Sequence, residues 1–574
     1  MGKDTTVRNA CIPLVIGVTG HRDICEEDLR YAKEAVRGEV RRLAELCPNT
    51  PVVMLSSLAK GADQICAQVA LEEKIGLITV LPMPLGEYKK DFEGPDLEEL
   101  ERLVARSDSV FVSPFEEEER EGRDFLYRQA GIYITRRSHV LIALWDGTEP
   151  TRGGCGTDEM VDIMLHGNTF LKQEGGFTAD KGTVIHVPVK RGVLSDTSVN
   201  ASNTVESGRE VRILGDEVNF HEILKRTEEF NKHAIRLIES KEKKEGKTRR
   251  KKSGKAGAKS NTAETIKRRL ENLYNISDEL SIRGSKAYRI SIAMIAVMAT
   301  LLTMSFLLYD EANMHYLIIM CGVMIFGVYA VNAADGRCGF HRKYLQYRLL
   351  AEGLRVQIGL SKAGIDARAF EMMPWSIQTD IPWIVRALAA VSIGEIPAGT
   401  CDKALLTGKA AASERSTSSI LGWISGQKAY HEAVVKSASR KAIRNDRIVK
   451  VAIGISIFVY AAALGFEIFV AGLFTGNSLL NPDDAEFVRT VVKIATGSLS
   501  ALSLFAGSYY GKLSLEERSN DSRRMAALYA EALESEAAGM DAGRLCRTLA
   551  REELGENGRW LAYKSINGTD TPIS

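Results

Sequence analysis

Residues 290–308 read ISIAMIAVMATLLTMSFLL, and residues 314–334 read MHYLIIMCGVMIFGVYAVNAA. Neither run contains Asp, Glu, Lys or Arg, and an acidic turn that begins with Asp310 and Glu311 separates them. A helix needs about 20 consecutive apolar residues to cross the hydrocarbon core of a bilayer. We therefore predict that this stretch forms a transmembrane hairpin.

A second pair of apolar runs covers residues 451–476 and 494–510. Glu467 is the one charged residue in the first of these runs, and an ionised carboxylate inside a membrane is costly unless it faces a pore or a partner. Glu467 is therefore a gating candidate, although a hydrogen bond from its protonated form to Thr496 or Ser500 would make it structural. The Ser- and Gly-rich last run is also compatible with a buried core helix.

Basic residues crowd one end of each predicted span, whereas both hairpin turns are acidic. Lys and Arg near membrane ends stay on the cytoplasmic side. Both termini and the segment between the hairpins are therefore predicted to lie in the cytoplasm. The basic flanking residues are Arg283, Lys286, Arg289, Arg337, Arg342, Lys343, Arg348, Arg440, Lys441, Arg444, Arg447, Lys450, Lys512 and Arg518.

At 574 residues the chain is expected to contain several domains. Its nine cysteines form no C-x-x-C pair, so neither a metal site nor a disulfide framework is indicated. The formal net charge of +1 gives no reason to expect DNA binding. Residues 241–260, KEKKEGKTRRKKSGKAGAKS, are too charged to pack. They form either a plain tether or a segment attracted to anionic headgroups.

These patterns divide the chain into five predicted parts. Residues 1–240 form a nucleotide-binding domain and residues 241–262 a flexible basic linker. Residues 263–360 form a helix, the first hairpin and a juxtamembrane helix. Residues 361–449 form a mostly helical cytoplasmic segment, and residues 450–574 form the second hairpin and C-terminal cytoplasmic helices.

The N-terminal part alternates strand and helix patterns, which is typical of a doubly wound parallel sheet with a Rossmann-like fold. Ligands of such sheets bind beyond the carboxyl ends of the strands. The predicted strands cover residues 12–18, 52–56, 77–81, 109–112, 140–145 and 183–189. The predicted helices cover residues 26–46, 62–73, 97–105 and 122–137.

Three glycine-containing turns follow predicted strands, where they would meet at such a crevice. Glycine allows tight turns, and backbone amides and helix N-termini attract anions. Asp63 is alternatively a plain first-turn helix residue, and the third turn an exposed loop. The three turns carry Gly17, Thr19, Gly20, His21 and Arg22; Ser56, Ser57, Lys60, Gly61 and Asp63; and Trp145, Asp146, Gly153, Gly154, Gly156 and Thr157.

The order of these motifs, GVTGHR, then SSLAKGAD, then LIALWDG with GGCGT, resembles the SLOG superfamily over roughly the first 190 residues. That superfamily groups the cytokinin-activating LOG enzymes with the DNA-uptake protein Smf and related sensor domains. The resemblance implies a fold that binds nucleotides or nucleotide-derived ligands, with no further cofactor. His21 and Trp145 would flank the base, and the turns would hold phosphate and ribose.

LOG-type phosphoribohydrolases carry P-G-G-x-G-T-x-x-E, whose last glutamate serves catalysis. Here Arg152 stands at the proline position and Met160 at the glutamate position, with Glu159 one residue out of register. On a helix that offset turns a side chain by about 100°. The comparison favours ligand binding, and leaves open a membrane-tethered nucleotide N-glycosidase with Glu159 or Asp146 as its acid or base.

The segment that begins with Tyr344 and includes Arg348 and Glu352, together with the C-terminal ENGRWL motif, resembles SLATT-like, SLOG-associating membrane modules of bacterial conflict systems. Arg348 and Glu352 lie one helical turn apart and are gating candidates. The resemblance implies an inner-membrane effector that senses an alarm nucleotide made during phage infection and perforates the membrane. It also implies a homo-oligomer whose messenger comes from a neighbouring nucleotide cyclase or nucleotidyltransferase.

We therefore expect a membrane-anchored sensor and effector whose partners are a nucleotide-derived messenger and the lipid bilayer. Differential affinity of the messenger for two states of the protein would drive the switch. A constitutive ion channel regulated by a SLOG domain, similar in domain order to melastatin-type TRP channels, is a third possibility. The four spans contain no filter-like segment that would favour it.

Overall fold

A computed structural model describes residues 10–113, 122–148, 156–167, 181–192, 210–246, 262–311, 314–363, 365, 367–394, 409–470, 481–512, 515–537 and 542–566. The described chain divides into two compact units. The first comprises residues 1–280, 349–416 and 550–558, and the second comprises residues 281–348, 417–549 and 559–574.

A seven-stranded sheet forms the centre of the first unit, in the order β4-β3-β2-β1-β5-β6-β7. The first six strands are parallel, and β7 is antiparallel to β6. The predicted Rossmann-like α/β fold is thereby confirmed. The strands are β1 (Leu14–Gly20), β2 (Val52–Ser56), β3 (Gly76–Leu81), β4 (Ser109–Val112), β5 (Val140–Trp145), β6 (Thr183–Pro188) and β7 (Arg212–Gly215).

Helices connect the strands from β1 to β6, as the alternating pattern predicts. The first helix shows why: it buries Ala32, Val36, Val40 and Leu43, which recur at helical spacing on one face. Every residue of β5 is buried, as expected for a central parallel strand covered on both faces. The helices are α1 (Glu26–Leu46), α2 (Ala62–Glu72), α3 (Leu85–Tyr88), α4 (Pro95–Arg106), α5 (Gly122–Arg137), α6 (Thr157–His166) and α7 (Glu217–Gly246).

Residues from the region between the two hairpins also belong to the first unit. Helix α12 buries every residue from Trp383 to Val391. Ala390 and Ile393 pack in one cluster with Val15, Leu55 and other apolar side chains of the sheet and α5. Part of the segment 361–449, which the sequence analysis treats by itself, therefore packs in one cluster with the N-terminal sheet. The elements here are α10 (Phe340–Ala363), α11 (Trp375–Asp380) and α12 (Pro382–Val391), which follow α8 (Thr262–Glu311) and α9 (Leu317–Cys338).

Within the described residues, four helices are long and apolar enough to cross a membrane, as predicted from the sequence. At most 17% of the residues in their apolar windows are buried, so large apolar side chains such as Phe326 and Phe458 face outward. This exposure favours spans over buried core helices, and it indicates a membrane protein. The remaining helices are α13 (Lys409–Phe469), α14 (Pro482–Lys512), α15 (Leu515–Ala537) and α16 (Ala542–Ile566).

Within the second unit, α14 packs against α8. A Cβ atom added to Gly497 would lie 2.6 Å from Cδ1 of Leu307, so the helices approach closely at that point. Lys493 pairs with Glu311 across the same two helices, with 3.1 Å between Nζ and Oε2. Residues 471–476, which the sequence assigns to the third span, lie outside the described residues.

Candidate functional site

The first turn follows strand β1 at the switch point of the sheet. Strands β1 and β5 are neighbours, but the chain proceeds from β1 to β2 on one side and from β5 to β6 on the other. Gly20 pairs with Leu144, so both strands end at the same level. This is the position at which open α/β sheets bind ligands.

His21 joins the first turn to the third. Its backbone N–H donates to the carbonyl oxygen of Leu144 at 3.0 Å. Its ring Nε2 accepts a hydrogen bond from the N–H of Asp146 at 3.1 Å. Burial lowers the pKa of His21 and outweighs the opposing effect of Asp146. A neutral ring protonated on Nδ1 fits this geometry, and with 4% exposure the side chain is a link between loops rather than an open wall of the crevice.

Asp146 is held by several partners. Its Oδ1 accepts from the hydroxyl of Thr148 at 2.8 Å and from the N–H of Thr148 at 3.1 Å. Its Oδ2 lies 3.2 Å from Nε of Arg191. Burial raises the pKa of Asp146, but the hydrogen bonds from Thr148 and the nearby His21 outweigh burial and leave the pKa below its ordinary value. The carboxyl group is thus an ion at neutral pH, which disfavours it as a general acid.

The first and second turns touch through two glycines. A Cβ atom on Gly20 would lie 2.3 Å from Cβ of Ala62, and one on Gly61 would lie 2.6 Å from the carbonyl oxygens of His21 and Arg22. Gly61 also has a φ of +81°, which residues with side chains rarely adopt. The N–H of Ala62 donates to the carbonyl oxygen of His21 at 3.0 Å. These glycines therefore allow the two turns to close on each other.

The second turn wraps around its own carboxylate. Oδ2 of Asp63 accepts hydrogen bonds from the Ser56 hydroxyl at 3.0 Å, the Ser57 N–H at 3.1 Å and the Ala59 N–H at 3.4 Å. The N–H of Leu58 donates to the Ser56 hydroxyl oxygen at 3.0 Å. Asp63 is 6% exposed, and burial raises its pKa to about 6 against the effect of these hydrogen bonds. Donors expected to hold a ligand are therefore directed at Asp63.

Two basic side chains at this edge differ in their partners. Nζ of Lys60 lies 2.7 Å from Oδ2 of Asp96. The exposed guanidinium of Arg22 instead stacks on Tyr127, with 4.8 Å from its carbon to the ring centroid. Among the described residues nothing forms a hydrogen bond or ion pair with that guanidinium. Its N–H groups are open to an anion.

Residues that follow strands β3 and β4 also lie at this edge, although the sequence did not predict them as site residues. Tyr127 donates a hydrogen bond to Asp91, which also accepts from Arg123 at 2.8 Å. The buried ring of Tyr88 packs 6.1 Å from that of Tyr127. These groups lie beside Arg22 at the same edge of the sheet. Their position after strands was the available signal, but the segments contain no glycine-rich motif.

The third turn is described only in part, at residues 145–148 and from Gly156 onward. Trp145 is 9% exposed, and its ring lies 5.3 Å from that of His186, in a cluster with Met160. Gly156 and Thr157 begin helix α6. Gly153 and Gly154 lie outside the described residues. In the described part of the chain no group of three His, Cys, Asp or Glu side chains is arranged to hold a metal ion.

The residues compared with the LOG catalytic glutamate have structural surroundings. Oε1 of Glu159 accepts from Nε of Arg128 at 2.8 Å, which ties α6 to α5. Met160 is buried between the same two helices, where its sulfur would lie 2.5 Å from a Cβ atom on Gly131. Glu159 thus faces a helix partner, and Met160 fills the core.

Two of the three gating candidates, Arg348 and Glu352, have described polar contacts. In the second unit, Nη2 of Arg348 donates to the Tyr430 hydroxyl at 2.8 Å. In the first unit, Glu352 lies 2.7 Å from Nη2 of Arg355, which also pairs with the buried Glu553. The side chain of Glu467 lies outside what the structure describes.

No protein-family model matches this chain, and a search of curated proteins found no match.

Proposed function

We propose that this protein is a membrane-anchored sensor and effector that binds a nucleotide-derived messenger in the crevice at β1 and β5. The observation that carries the proposal is the open guanidinium of Arg22 at the switch point of the sheet. Arginine presents a planar set of donors that matches phosphate oxygens. The neighbouring ring of Tyr127 adds an aromatic surface beside that charge.

In this proposal, binding of the messenger acts on the membrane spans. Helix α8 contributes residues 262–280 to the first unit and residues 281–311, which include the first apolar run, to the second. A messenger that binds one conformation of the first unit more tightly would shift the population of that conformation. In this proposal the shift alters the packing of the spans and makes the inner membrane permeable, as an anti-phage effector would.

The surroundings of the acidic residues favour binding over glycosidic hydrolysis. Glu159 is paired with Arg128, and the pKa of Asp146 lies below its ordinary value. A general acid for glycosidic cleavage needs a raised pKa and an open approach to its substrate. Asp146 does not meet the first condition, and Glu159 is tied to Arg128, so we assign neither of them the role of that acid.

The test measures binding and leakage with the full chain. Calorimetry in detergent with a panel of nucleoside monophosphates and cyclic dinucleotides should find a ligand whose affinity falls about 10- to 100-fold in Arg22→Ala, as expected for a charge-assisted hydrogen bond. Arg41→Ala is the matched control, since Arg41 pairs with Glu73 on exposed helices. The same ligand should release dye from vesicles that contain the wild-type protein.

Unchanged affinity in Arg22→Ala would refute the crevice assignment. Binding without any dye release would refute the effector role and leave the sensor role standing.

A further inference from the structure

A second group of basic side chains lies at the opposite edge of the sheet. Helix α5 ends with Arg136 and Arg137, and strand β5 begins at Val140. This is the amino edge of the parallel strands, whereas the crevice lies at their carboxyl edge. A strand of this length separates the two edges by about 20 Å. The group is therefore distinct from the candidate nucleotide site.

Arg137 is the central member of this group. It is 6% exposed, and its guanidinium carbon lies 3.7 Å from the ring centroid of Tyr133 and 5.5 Å from that of Phe370. In the described part of the chain its N–H groups have no acceptor, and Nε is fully shielded from solvent. Stacking on two rings leaves the edge of the guanidinium, which carries the donors, unused. A buried charge in this state is costly unless an anion joins it.

Charged groups of both signs lie near Arg137. Arg136 lies 3.0 Å from Glu371 through its Nη1, so that carboxylate already has a counter-ion. Arg368 is 5% exposed and belongs to the same electrostatic environment. Burial lowers the pKa of Arg137, and the positive charges of Arg368 and Arg136 lower it further against the effect of Tyr133 and Glu371.

We propose that Arg137, assisted by Arg136 and Arg368, binds a phosphate-type oxyanion at the amino edge of the sheet. A compact oxyanion suits an arginine that lies against aromatic rings and whose donors have no described acceptor. Arg137 ends helix α5, and Arg368 directly precedes the 3₁₀ turn Ala369–Met372. A bound oxyanion would therefore fasten this turn to α5.

Hydrogen exchange of the full chain in detergent tests this site locally. Addition of inorganic phosphate, compared with chloride at equal ionic strength, should slow exchange in peptides that cover residues 367–373 and the end of α5. The effect should persist in Arg22→Met and disappear in Arg137→Met. Arg41→Met, which removes an exposed arginine, is the control for loss of one charge. If Arg137→Met does not fold, Arg137→Lys keeps the charge without the planar donors and should need a higher phosphate concentration for the same protection.

The same protection in wild type and Arg137→Met, or no protection in wild type, would overturn the proposal. An unchanged phosphate dependence in Arg137→Lys would also overturn it. Protection by inorganic phosphate alone identifies a free oxyanion as the ligand, whereas equal protection by AMP identifies a phosphate carried on a nucleotide; both results support the site. Loss of protection in Arg22→Met would assign the phosphate effect to the crevice instead.

Discussion

The first and second turns of the crevice look alike in sequence, but the structure shows that their polar groups have different partners. Both follow parallel strands, contain glycine and carry a basic residue. The second turn encloses Asp63, whose carboxylate accepts from the Ser56 hydroxyl and two backbone N–H groups. In the first turn, no described residue accepts a hydrogen bond from the Arg22 guanidinium. A turn rich in amides is therefore an anion site only if the chain does not provide the anion itself.

Substitution of Gly61 by alanine should have the largest effect on this arrangement. The added Cβ atom would meet two carbonyl oxygens at 2.6 Å, and the φ of +81° disfavours any side chain. Overpacking and backbone strain together should lower the free energy of unfolding by about 3 kcal/mol. Urea denaturation of the full chain in detergent measures the change. In the control Gly38→Ala, nothing lies within 4 Å of the added atom, and helix propensity should raise stability by about 1 kcal/mol. Equal effects of the two substitutions would contradict the close contact.

The pH dependence of stability tests whether Asp63 is the anion of the second turn. Its pKa is raised from 3.8 to about 6 in the folded protein, so the folded state binds more protons than the unfolded state between these values. The contribution of Asp63 to the free energy of unfolding should therefore be highest below about pH 4. It should fall by about 3 kcal/mol as the pH rises through 6. Asp63→Asn, which cannot titrate, should lack this component.

The free energy of unfolding of wild type and of Asp63→Asn is measured at each pH, and the two values are subtracted. The contributions of the other carboxyl groups cancel in this difference. Asp96→Asn is the control, because that carboxylate is partly exposed and pairs with Lys60. The difference in the free energy of unfolding between wild type and Asp63→Asn should change between pH 4 and 7. A constant difference would mean that burial does not raise the pKa of Asp63.

The backbone of the crevice could be predicted because its signals are local. Apolar strands flanked by glycine and turn residues are visible along the chain. Five of the six predicted strands end at the observed last residue or one residue from it. The exception is β1, which extends two residues further than predicted. The partners of the side chains could not be predicted. Asp63 captures amides of its own turn, and Trp145 turns into the core, and both outcomes depend on packing that the local pattern does not contain.

Long-range packing explains the other differences. Helix α12 has the sequence PWIVRALAAV, which is apolar on nearly all sides, but nothing in it identifies a sheet more than two hundred residues earlier as its partner. Strand β7 has four residues, RILG, at the edge of the sheet, which is too short for a period of two to be recognised. The spans were predictable because a long uncharged run needs no partner to be recognised.

Substitution of Lys60 by alanine should have the smallest effect on stability, and its effect on ligand affinity should contrast with that of Arg22→Ala. Its ammonium group is already paired with Asp96, and both side chains are substantially exposed, so Lys60→Ala should change the free energy of unfolding by about 0.5 kcal/mol or less. A ligand phosphate would have to compete with Asp96 for Lys60, whereas no described residue forms a hydrogen bond or ion pair with the Arg22 guanidinium. Calorimetry with the messenger should therefore show a loss of affinity in Lys60→Ala that is several-fold smaller than in Arg22→Ala.

Asp96→Ala releases Lys60 and should strengthen binding. A larger loss in Lys60→Ala than in Arg22→Ala would mean that the second turn, and not the first, is the main phosphate contact.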